Sequence, residues 1–167
     1  MTGIVVDVYV SAGSNIDPER HLQAACRSLT DKLGPLSLSP VYRTTAVGFD
    51  GDDFLNFVMS FSTDLDIQAV KAILDETEAR AGRVHAAESF MPRTLDLDLL
   101  LYGSEVLDIP AVRVPREDIL QYAFVLAPLA ELAPDLRHPV DGRTMRELWS
   151  VFECGDQDIQ RLTAGLF

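Results

Sequence analysis

Two aspartates in the segment PRTLDLDLLLY, residues 92–102, carry the strongest chemical signal in this chain. The alternation predicts a strand over 95–102, with Leu95, Leu97, Leu99 and Leu101 facing the core. Asp96 and Asp98 then share the opposite face, their Cβ atoms about 7 Å apart. Carboxylates so spaced can each take a hard cation, with nucleotide phosphates completing the octahedra. The competing reading is a half-exposed strand whose polar face happens to be acidic. It is weakened because Asp is a poor strand former and two like charges on one face repel.

Phe54 and Asn56 stand at i and i+2 of a second predicted strand and also share a face. An aromatic ring beside a carboxamide can stack on a flat heterocycle and read its edge, since Asn offers donors and an acceptor. A core Phe followed by a strand-end Asn would look the same. Arg83, His85 and Arg93 flank an aperiodic loop, and Arg113 and Arg116 follow. These are the cations a polyphosphate would require, although scattered surface Arg is the ordinary explanation. Ser11 to Asn15 reads as a structural turn with a helix cap and lacks the Gly-x-x-x-x-Gly-Lys of a phosphate loop.

The elements that must position these residues follow from periodicity and breakers. Residues 4–10 predict a strand, and Asn15 or Asp17 caps a helix whose stripe Leu22, Cys26, Leu29 and Leu33 ends at Gly34. Residues 36–44 alternate around Pro40, an edge or bulge signal, and 54–63 form a third strand. Asp66 starts a second helix running to Gly82. After the strand at 95–102, residues 103–118 read as irregular. Helices are expected from Glu117 to Ala133, interrupted near Pro128, and from Thr144 to Val151. The order strand-helix-strand-strand-helix-strand predicts an α+β, ferredoxin-like split βαβ fold with a mainly antiparallel sheet and helices packed on it. It occupies one domain, 1–152, followed by a short C-terminal tail, 153–167.

Composition limits the partners. The chain has 167 residues, with 26 acidic and 14 basic side chains and a net charge of -12. Nucleic acid is excluded, because phosphate backbones demand a basic footprint, and an anionic membrane surface is disfavoured for the same reason. Two distant cysteines, no basic leader and no apolar run near ~18 residues predict a soluble, cytoplasmic protein. A polyphosphate ligand would need metal cations or a local cluster of Arg to overcome the repulsion. Residues 83–122 hold four Arg against seven acids, so even that region is negative.

These segments resemble the 6-hydroxymethyl-7,8-dihydropterin pyrophosphokinase family of folate biosynthesis. The resemblance rests on YVSAGSN near the start, SPVYRTTAVG at 39–48, DFLNFV at 53–58, and E-x-x-x-GR at 78–83. PRTLDLDLLLYG at 92–103 and FVLAPLAELAP at 124–134 complete it. It implies transfer of pyrophosphate from ATP to the pterin hydroxymethyl group, releasing AMP. It further implies that Asp96 and Asp98 hold two Mg2+ ions and that Thr44, Val47, Phe54, Asn56 and Phe124 line the pterin pocket. Asp75, Arg83, Arg93, Arg113 and Arg116 fall on the ATP side, with Arg83 and Arg93 serving catalysis. The implied partners are these two small molecules, and the protein is expected to act as a monomer.

The chain departs from the family pattern at several places. Ser89-Phe90-Met91 stands where Arg-Trp-Gly is usual, and His85 where a basic residue is common. Arg116 replaces a His, and Tyr122 an Arg that touches the triphosphate. A second reading therefore treats the chain as a weakened paralogue, a pterin- or nucleotide-binding module.

Overall fold

The computed structural model describes residues 4–44, 53–82 and 95–163. Its strand β1 (Val6–Ser14), with Val6, Val8, Val10 and Ala12 on one face, pairs antiparallel on both sides. One neighbour is β4 (Phe54–Thr63) and the other is β5 (Asp96–Tyr102). β3 (Tyr42–Thr44) lies outside β4, β2 (Ser37–Leu38) pairs with β4, and β8 (Ile159–Arg161) closes the far edge on β3.

Two helices cover one face. α1 (Pro18–Leu33) and α2 (Ile67–Arg80) bury Leu22, Leu29, Val70 and Leu74 against Val8, Val10, Leu55 and Phe57. Each fully buried side chain of this kind is worth roughly 1.5–3 kcal/mol, which fixes the helices on the sheet. The other face packs Val58, Leu100 and Leu101 against α3 (Asp118–Gln121), α4 (Ala123–Leu132) and α5 (Met145–Ser150). The order β1-α1-β3-β4-α2-β5 with all-antiparallel pairing is the ferredoxin-like α+β fold expected from the element order.

Four local differences have physical causes. Ser11 to Ser14 continue β1 and do not turn, because this segment is hydrogen-bonded on both sides and tertiary pairing overrides weak strand propensity. Leu101 faces the α4 side, not the α1 side, because the register shifts between Tyr9 and Val10 and leaves Leu100 as an extra residue on β5. The long third helix breaks at Tyr122, whose backbone is extended, while Pro128 sits inside the buried α4. Residues expected to be irregular form a hairpin of β6 (Leu107–Ile109) and β7 (Val112–Val114), strands too short to show a period. No apolar period marks β8, whose alternation covers only three residues.

Candidate active site

Cross-strand pairing assembles the site on the face that carries α4. Gly13 stands opposite Asp96 on one side and Asn56 on the other, and Asn56 stands opposite Tyr42. Directly opposed residues of antiparallel strands share a face, so Asp96, Gly13, Asn56 and Tyr42 form one row. The next row pairs Asp98, Ser11 and Val58. Thr44 links Phe54 to Ile159 in a third. A cavity of about 560 Å³ opens over these rows, of a size suited to a small-molecule ligand.

At one end Asn56 is nearly fully buried and donates from Nδ2 to Thr44 Oγ1 at 3.1 Å. Gly13 makes room for the carboxamide as placed here, since a Cβ on it would lie 2.7 Å from Asn56 Oδ1 and force it to turn. Phe54 reaches the cavity from β4 and Phe124 from the first turn of α4. Tyr122 stacks on Phe124 with ring centroids 5.1 Å apart and 27° between the planes, extending the aromatic wall.

At the other end lie Asp96 and Asp98. Burial and the neighbouring Asp96 charge push the Asp98 carboxyl up to about 6. Among the described residues Arg116 pairs with Asp98, and its backbone N–H donates to the Leu100 carbonyl at 3.0 Å. Its Nη2 lies 3.6 Å from Asp98 Oδ1 and its Nε 3.2 Å from Asp118 Oδ2. That buried Nε is not aligned with any acceptor among the described residues. Beneath the pair, Glu78 of α2 accepts the Leu97 N–H at 2.7 Å, clipping the edge strand between the two aspartates. Burial pushes Glu78 up to about 7, with Asp96 and Asp98 adding to the rise and the Leu97 bond opposing it.

Among the described residues no three His, Cys, Asp or Glu side chains gather into a closed metal cage. Two carboxylates on an open wall instead suit Mg2+, which keeps waters and substrate phosphates as its remaining ligands. Burial first and the Asp96 charge second disfavour an ionised Asp98, and a bound dication would offset both. The Arg116 Nε, 3.2 Å from Asp118 but not aligned with it, can turn toward a phosphate oxygen, so the residues present fit a metal–phosphate group.

Of the residues singled out in the sequence, Thr44, Phe54, Asn56, Asp96, Asp98 and Phe124 meet at this cavity, and Arg116 stands beside Asp98. Arg113 pairs with Glu117 at 2.8 Å, and Asp75 is held by Lys71 at 2.5 Å; neither lines the cavity. Val47, Arg83 and Arg93 lie outside the described residues. Periodicity missed Ser11, Gly13, Glu78 and the lining residues Gln157 and Ile159. A glycine inside a strand is a signal of close approach and could have found Gly13. The others depend on which distant segments meet, which no local pattern reveals.

Residues 9–134 match the model of the 7,8-dihydro-6-hydroxymethylpterin-pyrophosphokinase (HPPK) family. The chain is 40% identical over 159 residues to the 2-amino-4-hydroxy-6-hydroxymethyldihydropteridine pyrophosphokinase of Pseudomonas aeruginosa, covering 93% of this chain and 96% of that one. The protein of the same name from Methylorubrum extorquens is 38% identical over 144 residues, covering 83% and 89%. Among solved structures, the HPPK-DHPS of Plasmodium falciparum with pterin and p-hydroxybenzoate superposes with a TM-score of 0.69 at 11% identity. That match covers 90% of this chain and 42% of the other, so the chain spans less than half of that protein, and the likeness shows the fold alone. With a cavity that joins a buried carboxamide and two aromatic rings to a carboxylate pair, and with matches over nearly its whole length, the chain belongs to the 7,8-dihydro-6-hydroxymethylpterin-pyrophosphokinase family.

Proposed function

We propose that this chain transfers pyrophosphate from ATP to 6-hydroxymethyl-7,8-dihydropterin, as a cytoplasmic monomer of one domain, with the two ends of the cavity dividing the work. Phe54 and Phe124 present ring faces to the flat heterocycle, and Asn56, steadied by Thr44, reads its edge. Two strand spacings separate Asn56 from the aspartates, about 10 Å, room for a two-ring heterocycle and its one-carbon side chain.

The hydroxymethyl oxygen attacks the β-phosphorus. The bond from that phosphorus to the oxygen bridging the α-phosphate breaks, AMP leaves with the electron pair, and the hydroxyl proton is released. Such a transfer needs positioning and charge neutralisation more than covalent chemistry by the protein. Two Mg2+ ions, when bound, would neutralise the triphosphate. Asp96 and Asp98 would hold them, with Arg116 beside Asp98 offering its unaligned N–H to a phosphate oxygen. Val47 on the pterin side and Arg83 and Arg93 on the phosphate side are assigned by family pattern.

The single observation carrying this assignment is that Asp96, Asp98 and Asn56 open onto one cavity. It is tested by AMP release from ATP and the dihydropterin, with Asp96→Ala and Asp98→Ala as controls. Turnover that requires divalent metal and falls at least 100-fold in either variant is expected. Absence of turnover by the wild type, beside a working control enzyme, overturns the activity. Full turnover by both variants overturns the metal assignment.

A further inference from the structure

We propose that the C-terminal segment 153–163 is a working wall of the pterin pocket, and that Gln157 positions the aromatic face on which the pterin stacks; this rests on the activity assigned above. Gln157 Oε1 accepts the Ala123 N–H at 2.6 Å, and its Nε2 donates to the Gln121 carbonyl at 2.9 Å. One carboxamide thus grips the backbone on both sides of Tyr122. The break between α3 and α4 falls at this residue, where φ is -121° and ψ is 125°. Breaking a helix leaves a carbonyl and an N–H without helical partners, and Gln157 satisfies one of each from more than thirty residues away.

The consequence reaches the cavity through Tyr122 and Phe124. Their rings stack on each other, both line the cavity, and both stand on backbone that Gln157 fixes. Further along, Ile159 pairs with Thr44 on β3 and lines the same cavity in the row that contains Phe54. The segment is anchored beyond the cavity as well. Leu162 N–H bonds the Val41 carbonyl at 2.9 Å, and Arg161 Nε lies 3.0 Å from both Glu131 oxygens. Tied on either side, it crosses the pterin end of the site as a strap, whereas Asp96 and Asp98 lie on β5, at the other end of the cross-strand row from Asn56. It also lies past Pro134, where the match to the family model ends.

A strap of this kind affects the heterocycle and spares the metal end, so its test is a split between substrates. Wild type, Gln157→Ala, Gln157→Glu, Ile159→Ala and Gln160→Ala are compared; Gln160 stands opposite Arg43, out of the cavity rows. Three quantities are read: Kd for 6-hydroxymethyl-7,8-dihydropterin by fluorescence titration, KM for each substrate, and thermal unfolding. Gln157→Ala is expected to raise pterin Kd and KM roughly ten-fold while KM for ATP stays within about two-fold. Gln157→Glu, whose carboxylate faces the Gln121 carbonyl, is expected to do at least as much, and Gln160→Ala to match wild type. Unchanged pterin Kd in Gln157→Ala, or an equal rise in both KM values, overturns the proposal. If the Gln157 variants fail to fold, Ile159→Ala decides it by the same split. A wild type that binds the pterin but releases no AMP defeats the activity, while its Kd series still tests the strap.

Discussion

Asn56 Oδ1 occupies the space that a side chain on Gly13 would need, 2.7 Å from where its Cβ would stand. The contact joins neighbouring strands, so a Cβ on Gly13 is accommodated only if the Asn56 carboxamide turns away from it. Gly13→Ala is therefore expected to turn the Asn56 carboxamide from its bond to Thr44 and spoil the pterin-reading edge. Loss of one or two hydrogen bonds at about 0.5–1.5 kcal/mol each lowers kcat/KM for the pterin by roughly 2- to 150-fold. Steady-state kinetics with ATP saturating checks this. An unchanged KM for the pterin would show that the carboxamide does not read it.

The same pair of residues shows how far the sequence could be read. Alternation placed Asp96 with Asp98 and Phe54 with Asn56, because a strand's period of two is a local property. What brings the two pairs together is the register of β1 between them, and Gly13 stands in it. That register depends on the packing of two separate helices on the opposite face, which no window of residues records. Leu101 shows the other limit. One extra residue on β5 reverses its face, and nothing in LDLDLLLY marks where a bulge falls. The strap escapes notice entirely, since Gln157 acts through its carboxamide on backbone far off in the chain.

Glu78 gives a second prediction. It accepts the Leu97 N–H, a buried donor on an edge strand, from a helix on the opposite face to the cavity. Removing the acceptor in Glu78→Ala is expected to cost about 1–3 kcal/mol of stability. It should also loosen the spacing of Asp96 and Asp98, raising the Mg2+ concentration for half-maximal rate several-fold. Glu78→Gln keeps an acceptor oxygen and should recover most of both. Thermal unfolding and Mg2+ titration of the rate measure the two effects. An unaltered Mg2+ requirement in Glu78→Ala would separate Glu78 from the metal end.

His138 predicts acid sensitivity away from the site. It is almost fully buried, and its Nδ1 accepts N–H bonds from Val140 at 3.2 Å and Asp141 at 3.0 Å. Burial holds its pKa below the ordinary value, against the opposing pull of Asp141. Since the folded value lies below the unfolded one, the unfolded chain binds the proton first. Stability is therefore complete above about pH 6.5 and declines as pH falls through that value toward the folded one. The slope from one such group cannot exceed about 1.4 kcal/mol per pH unit. His138→Asn, which keeps an acceptor near the Nδ1 position without titrating, should flatten Tm between pH 5 and 7 relative to wild type. Parallel Tm profiles would remove His138 as the cause.

Arg116 allows a prediction with opposite signs at two ligands. Its guanidinium lies between Asp98 and Asp118, already 3.6 Å from the first carboxylate. Arriving metal must share Asp98 with it, so the arginine opposes binding of the bare ion. Arriving triphosphate would gain a charge-assisted contact from the Nε–H that no described acceptor aligns with. Arg116→Ala should therefore leave Mg2+ alone bound as tightly or more tightly. It should weaken ATP with Mg2+ by roughly 10- to 100-fold, the loss of one contact of about 1.5–3 kcal/mol. Calorimetry with Mg2+ alone, and then with a non-hydrolysable ATP analogue in excess Mg2+, separates the two. If both affinities fall together, Arg116 holds the metal ligands in place and takes no phosphate; if neither moves, it belongs to the Asp118 pair alone.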